Sequence, residues 1–220
     1  MKITKYIHSC LLLENKGEKI LFDPGKFSFV EGKVRPEQFL DLHAVILTHY
    51  HPDHVDERSL ETIIDNNPGI EVLVNAEIHA KLAEKDIDTR IFESGTIAFS
   101  GFKIEAINAP HEKLLADSIP QNVAYVVNDV FIHPGDSLSE NLYSRKGTEV
   151  LALPLMAPWA TELQIFDFAV RMTPDAVVPI HDGFAKDFFL ESRYQNFEKF
   201  LGDRGIKFRA MAKPGDSISV

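Results

Sequence analysis

Apolar residues along this chain fall into short runs separated by turns, and several runs end on a residue that carries chemistry. Ile3, Tyr6 and Ile7 lead into Cys10-Leu11-Leu12-Leu13, and after the turn Glu14 to Glu18 comes Lys19-Ile20-Leu21-Phe22-Asp23. Apolar runs bounded by turn residues read as strands, so residues 2 to 23 predict a β-meander. Residues 26 to 40 predict a loop with a short helix after Pro36. Ala44-Val45-Ile46-Leu47 is a continuous apolar run, as expected of a strand covered on both faces. Asp56 reads as the N-cap of a helix with Leu60, Ile63 and Ile64 on its apolar face, stopping before Asn67-Pro68-Gly69. Glu71 to Val74 predicts a strand and Ala76 to Asp86 a short helix. Thr89 to Phe92, Thr96 to Phe99 and Phe102 to Ile107 predict three more strands.

The second half repeats this texture without repeating the sequence. Val123 to Asn128 and Val130 to His133 predict a hairpin turning at Asn128-Asp129. Val150 to Pro154 and Ala176 to Ile180 predict strands, and Ser217 to Val220 a final one. Thr161 to Met172 predicts a helix with Leu163, Phe166 and Val170 inward. The last helix, from about Ala185 to Leu201, has Leu190, Tyr194, Phe197 and Leu201 at core spacing. No composition break or low-complexity segment divides the chain, so residues 1–220 are expected to form a single domain.

Composition narrows the function classes. The 220 residues carry a formal charge of −10 with Lys and Arg scattered, which disfavours nucleic-acid partners. Anionic small substrates stay open, because a bound dication reverses the local field. Cys10 is the only cysteine, which excludes intrachain disulfides and thiolate clusters. No signal peptide or membrane-length apolar stretch is visible, so a cytoplasmic protein without membrane partners is expected. A homo-oligomer stays open.

The densest chemistry is Thr48-His49-Tyr50-His51-Pro52-Asp53-His54, at the end of the run Ala44 to Leu47. Imidazole nitrogens and carboxylate oxygens are the donors that borderline divalent metals take. Three other runs end alike: Ile107 leads to His111, Ile132 to Asp136 and Ile180 to His181. Strand ends in one layer can converge on one mouth, giving five histidines and two aspartates. These suit two ions: His49, His51 and His111 on one, Asp53, His54 and His181 on the other, and Asp136 between them.

The pattern resembles the metallo-β-lactamase superfamily. His-x-His-x-Asp-His stands at His49 to His54, and His111, Gly135-Asp136-Ser137 and Pro179-Ile180-His181 follow in that family's order. Leu21 to Gly25 looks like its strand-ending turn. His8-Ser9, the short length and Pro-Ile-His before a helix look most like the ascorbate-6-phosphate lactonase-like branch. The resemblance implies an α+β fold, a four-layer αββα sandwich with a dinuclear site at one edge. It also disfavours three branches. Cysteine-dependent zinc β-lactamases need a thiolate where Asp136 stands, the nuclease branch needs a large inserted domain, and the di-iron branch has a glutamate where His51 stands.

Two divalent ions, Zn or Mn with iron as a further option, are therefore expected. Held about 3.5–4 Å apart, they would make a bridging hydroxide at neutral pH. Asp53 would orient that nucleophile and pass its proton to the leaving group. The expected substrate is a small ester, lactone or amide. A phosphodiester is the alternative, and a metal-bound sensor without turnover is a further one. Asp23 reads as a carboxylate behind a ligand histidine or as a turn residue. Trp159 reads as a pocket wall or a core residue, Tyr50 as pointing into the mouth or packing. Lys186 reads as a partner for an anionic substrate group or a solvated helix-start lysine. His8 reads as a core histidine, with pocket lining as the alternative, and His133 as structural. His43 and His79 have no functional case. Loops 26 to 35, 112 to 121 and 155 to 162 are expected to shape the pocket.

Overall fold

A computed structural model describes residues 1–99 and 101–220. In chain order the elements are β1 (Lys2–Lys5), β2 (Leu11–Asn15), β3 (Glu18–Phe22), α1 (Lys26–Phe29), β4 (Ala44–Ile46), α2 (Glu57–Asp65), β5 (Glu71–Val74), α3 (Ala76–Ala83), β6 (Arg90–Ile91) and β7 (Gly95–Phe99). Then come β8 (Phe102–Asn108), β9 (Val123–Val127), β10 (Phe131–His133), β11 (Val150–Pro154), α4 (Glu162–Met172), β12 (Ala176–Ile180), α5 (Asp187–Gly202), β13 (Lys207–Phe208) and β14 (Ser217–Ser219). The strands form two sheets, ordered β14-β1-β2-β3-β4-β5-β6 and β13-β12-β11-β10-β9-β8-β7.

Strand alternation explains the four layers. On β3, Ile20 and Phe22 point between the sheets and Leu21 points outward; on β4, Ala44 and Ile46 point in and Val45 points out. On β9, Val123, Tyr125 and Val127 meet them from the other sheet, while Ala124 and Val126 face away. Successive side chains on a strand alternate faces, so strands apolar throughout must be covered twice. The first sheet's outer face packs on Leu60 and Ile63 of α2 and Ile78 and Leu82 of α3. The second sheet's outer face packs on α4 and α5. The result is the αββα sandwich of the metallo-β-lactamase fold. Among the described residues no helix is long and apolar enough to cross a membrane.

Several local expectations change. The loop after Gly25 contains the short helix α1, and Pro36–Gln38 is a 3-10 turn. The helix α3 stops at Ala83, with Asp86 left-handed beyond it. The strand near residue 90 shrinks to two residues. The core face of α4 is Ile165, Phe168, Ala169 and Met172, with Leu163 73 % exposed and Phe166 and Val170 only partly buried. Two apolar stripes overlap on this helix, and the one reaching Leu151 and Leu153 is buried. On α5, Tyr194, Phe197 and Leu201 are buried as spaced. The 128–129 turn has both residues at positive φ, which matches the twist of a tight hairpin.

Direction decides where the chemistry collects. β1 and β3 are each antiparallel to β2, and β3 is parallel to β4. β8 and β10 are each antiparallel to β9, and β10, β11 and β12 are mutually parallel. The segments bearing His8, Asp23, His49 to His54, His111, Asp136 and His181 therefore all follow the C-terminal ends of like-directed strands.

Candidate metal centre

Two groups of side chains meet at this end of the sandwich. His49, His51, His111 and Asp136 offer ligand atoms within 4.8 Å of one another, and so do His8, Asp53, His54 and His181. Asp136 links the groups. Its Oδ1 is 3.2 Å from His54 Nε2, and its Oδ2 is 3.0 Å from His181 Nε2, 3.5 Å from His111 Nε2 and 3.8 Å from His49 Nε2. Asp53 Oδ2 lies 3.3 Å from His181 Nε2 and 3.8 Å from His54 Nε2. The side chains expected around each ion lie together in space, with Asp136 among the first group and His8 beside the second.

Hydrogen bonds behind the rings set which nitrogen faces the centre. His54 Nδ1 donates to Asp23 Oδ2 at 2.8 Å, His111 Nδ1 to the Glu112 carbonyl at 2.6 Å and His181 Nδ1 to the Met156 carbonyl at 3.3 Å. Thr48 Oγ1 donates to Asp23 Oδ2 at 2.7 Å, and so accepts from His49 Nδ1 at 3.1 Å. A neutral imidazole carries one N–H, so each of these four rings turns an Nε2 lone pair inward. His51 instead brings Nδ1 to 3.1 Å from His49 Nε2. Asp23 is fully buried and also accepts from the Thr48 N–H at 2.8 Å. It backs a histidine of the cluster rather than serving only as a turn residue.

His8 has the opposite polarity. Its Nδ1 accepts from the Gly183 N–H at 3.1 Å, so Nε2 carries the proton, 3.0 Å from Asp53 Oδ2. The ring is fully buried, but it is a donor to the cluster and not an empty core histidine. The signal was present in the sequence: Ile7-His8 has the same apolar-run-then-ligand form as the other four segments.

Charge and burial oppose each other here. Burial alone raises carboxyl pKa values, yet the imidazoles of His54, His181 and His8 hold Asp53 below the usual carboxylate range, and His181, His54 and His49 do so for Asp136. Burial keeps His49 well below its ordinary value, assisted by His54; it also lowers His51, assisted by His111. Burial, then His181, pushes His8 down to about 4. Burial works against charge on His54 and His181 too, but Asp136 and its neighbours outweigh it, lifting His54 and bringing His181 to about 9. Two ionised carboxylates that draw His54 and His181 toward their charged forms make a space that favours positive charge.

The donor set fits divalent ions. His54 Nε2, His111 Nε2 and Asp136 Oδ1 are buried without a hydrogen-bond partner among the described residues. Such orphaned buried groups are costly, and all three face the same centre. Nitrogen and carboxylate oxygen without thiolate suit Zn, Mn or Fe.

The backbone is shaped for the site. His8, Asp23 and His181 adopt φ of 63°, 44° and 61°. Left-handed backbone at non-glycine residues concentrates at functional sites. Gly25 lies directly against the His49–His54 segment: a Cβ there would stand 1.9 Å from the Asp53 carbonyl oxygen. The Lys26 N–H also donates to the Pro52 carbonyl at 2.7 Å. Gly25→Ala is therefore expected to destabilise the fold by about 3 kcal/mol, the upper part of the overpacking range, because backbone meets backbone. A thermal melt within about 2 °C of the parent would contradict this contact.

The other sequence candidates divide. Trp159 Nε1 donates to Asp136 Oδ2 at 3.0 Å, and its ring lies 6.1 Å from both His111 and His181, so it walls the site. Tyr50 does not point into the mouth; its hydroxyl donates to Glu57 on α2, made adjacent by the turn at residues 51–54. Burial raises its pKa to about 12, together with Glu57. Lys186 is exposed at the N-cap of α5, and no ion pair joins it to the cluster among the described residues. His133 is buried, stacked on Phe22 and accepting from the Gly135 N–H at 3.2 Å. His43 and His79 bond to Glu18 and Thr89 away from the cluster. The 112–121 segment borders a cavity of about 470 Å³ beside His111. Sequence reasoning missed Phe27 and Phe184, which flank His8, and the buried pair Lys5–Asp182 behind His181.

An αββα sandwich with a histidine–aspartate cluster at its strand ends defines one protein class, and the match confirms it. Residues 2–181 match the beta-lactamase superfamily domain, and the chain belongs to that superfamily. It is 32 % identical over 189 residues to Protein Rv0786c of Mycobacterium tuberculosis, covering 82 % of this chain and 84 % of that protein. It is 27 % identical over 210 residues to a UPF0173 metal-dependent hydrolase of Flavobacterium johnsoniae, covering 92 % and 83 %. Among solved structures it is similar to Igni18, a metallo hydrolase of the hyperthermophilic archaeon Ignicoccus hospitalis. That likeness has a TM-score of 0.72 at 21 % identity over 99 % of this chain and 97 % of that one.

Proposed function

We propose that this protein is a dinuclear metal-dependent hydrolase acting on a small ester, lactone or amide. His49, His51 and His111 would hold one ion, Asp53, His54 and His181 the other, and Asp136 both, with Zn or Mn as the metal. The observation that carries this is the set of inward Nε2 lone pairs, fixed from behind and converging on one buried and one partly exposed carboxylate. Hydrolase relatives such as that of Flavobacterium johnsoniae support the reaction class. Bound divalent ions supply Lewis acidity and a water acidic enough to be a nucleophile near neutral pH.

The chain's own groups divide the remaining work. Asp53 keeps 17 % of its side chain exposed against 2 % for Asp136. Asp53 is thus the carboxylate that can receive a proton from the nucleophile and release it to the leaving group. His8 Nε2–H fixes Asp53 Oδ2. Trp159 holds Asp136 and closes one wall against water. The lactone end of this range agrees with the resemblance carried by His8-Ser9 and Pro179-Ile180-His181.

Zn- or Mn-loaded protein is expected to hydrolyse 4-nitrophenyl acetate or dihydrocoumarin, with activity removed by chelator and restored by metal. Bis(4-nitrophenyl) phosphate should turn over at least about tenfold more slowly. The reverse preference would move the reaction to phosphorus, and metal-loaded protein inert toward both classes would favour a sensor. His51→Ala should lose one ion and lower activity more than about 100-fold, beyond what groups behind metal ligands usually cost. Full activity in that variant would show that His51 is not a ligand.

A further inference from the structure

Asp53 is the more exposed of the two carboxylates, and phenylalanine rings stand against His8 and His181, the two histidines nearest its Oδ2. Phe184 follows His181-Asp182-Gly183, and its ring lies 5.7 Å from His181 and 5.8 Å from His8. Phe27 of α1 lies 5.2 Å from His8 and 6.2 Å from Phe184. Trp159 stands near His181 as well, yet no ring contact joins it to Phe184 or Phe27 among the described residues. The phenylalanine pair and the indole therefore border the centre separately.

Packing alone does not account for Phe184. It stays 47 % exposed while sitting within ring contact of two buried imidazoles. Its stem is fixed: the Gly183 N–H bonds His8 Nδ1, and a Cβ on Gly183 would come within 2.9 Å of His8 Cβ and 2.8 Å of Ile7 Cγ2. A rigid, half-open aromatic edge beside a few convergent polar groups is the usual make-up of a small-molecule site. Flat apolar groups gain most from such an edge, through offset or edge-to-face ring contacts.

We propose that Phe184 and Phe27 form a seat for an aryl, or comparably flat apolar, group of the substrate on the Asp53 side of the centre. This deepens, and rests on, the metal-hydrolase reading: the substrate class becomes an aryl-bearing carbonyl compound. The other exposed phenylalanines near the start of α5 do not share this placement. Phe188 is 74 % exposed with no ring contact to the cluster among the described residues, and Phe189 packs under Arg193.

The test compares two zinc-binding probes with one head group, acetohydroxamate and benzohydroxamate. Calorimetry is run on zinc-loaded protein whose metal content is measured in the same samples. Benzohydroxamate should bind at least about tenfold more tightly. Phe184→Ala and Phe27→Ala should each cut that preference below about threefold while leaving acetohydroxamate within about twofold of the parent. Phe188→Ala should change neither affinity. Equal affinities in the parent, or a preference that survives in the Phe27→Ala/Phe184→Ala double variant, would overturn the seat while leaving the metal centre standing. Protein that takes up no zinc and binds neither probe would overturn the metal centre, and the seat with it.

Discussion

Asp136→Ala is expected to cause the largest functional loss of any single substitution in this chain. Among the described residues no other carboxylate is ion-paired with both groups of ligands: its two oxygens lie 3.0 to 3.8 Å from Nε2 atoms of His49, His54, His111 and His181. It is essentially buried, so no solvent can replace it. Removing it leaves four rings facing one another without the charge that gathers them. Metal content should fall to one ion per chain or fewer, and kcat/KM by at least about 1000-fold, or roughly 4 kcal/mol. Asp23→Ala removes the partner behind His54 and the Thr48 brace without touching Asp136, and should cost about 10- to 100-fold. Metal analysis beside steady-state kinetics checks both. An Asp136→Ala protein that keeps two ions would remove the aspartate from the centre.

Lys5→Met is expected to have the largest effect on stability. Lys5 lies on β1, with its side chain 4 % exposed, and its ammonium donates to Asp182 Oδ2, itself 3 % exposed, at 2.5 Å. Tyr194 OH of α5 donates to the same oxygen, and the Met211 carbonyl also accepts from Lys5. Removing the cation strands a carboxylate in the interior, which typically costs about 3–5 kcal/mol. At about 2–4 °C per kcal/mol for a chain of this size, Tm should fall by roughly 6–20 °C. Asp182→Asn combined with Lys5→Met removes the stranded charge and should recover at least about half of that loss. Asp182 directly follows His181, so the single variant should also weaken metal binding at the proposed His181 site. A Tm within about 2 °C of the parent would show that this pair carries little of the fold.

The fold was legible where burial was double-sided and the period clear. Ala44 to Leu47 and Val150 to Pro154 read as strands because every residue is apolar, and both lie in sheet interiors. Helix α4 was placed correctly but faced wrongly, since Leu163, Phe166 and Val170 compete with Ile165, Phe168, Ala169 and Met172 for the core. Local spacing cannot choose between two apolar stripes; the sheet beneath them does.

In the candidate site, residues supplied as a dense motif or a strand-ending ligand were legible, and residues defined by partners distant in sequence were not. The polarity of His8 depends on Gly183, 175 residues away. Tyr50 turns from the mouth because Glu57 takes its hydroxyl, and Lys5 reads as an ordinary strand lysine until Asp182 is placed beside it. Phe27 and Phe184 look like unremarkable aromatics until the turn bearing His8 is set between them.

The proposed dinuclear centre is tested most directly by the metal stoichiometry of purified protein after reloading and removal of free ions, read by elemental analysis at neutral pH. Close to two Zn or Mn per chain, falling to about one in His51→Ala, is the expected result, since His51 serves one group of ligands only. No more than trace metal in the reloaded parent, or one ion that survives both His51→Ala and Asp136→Ala, would contradict it.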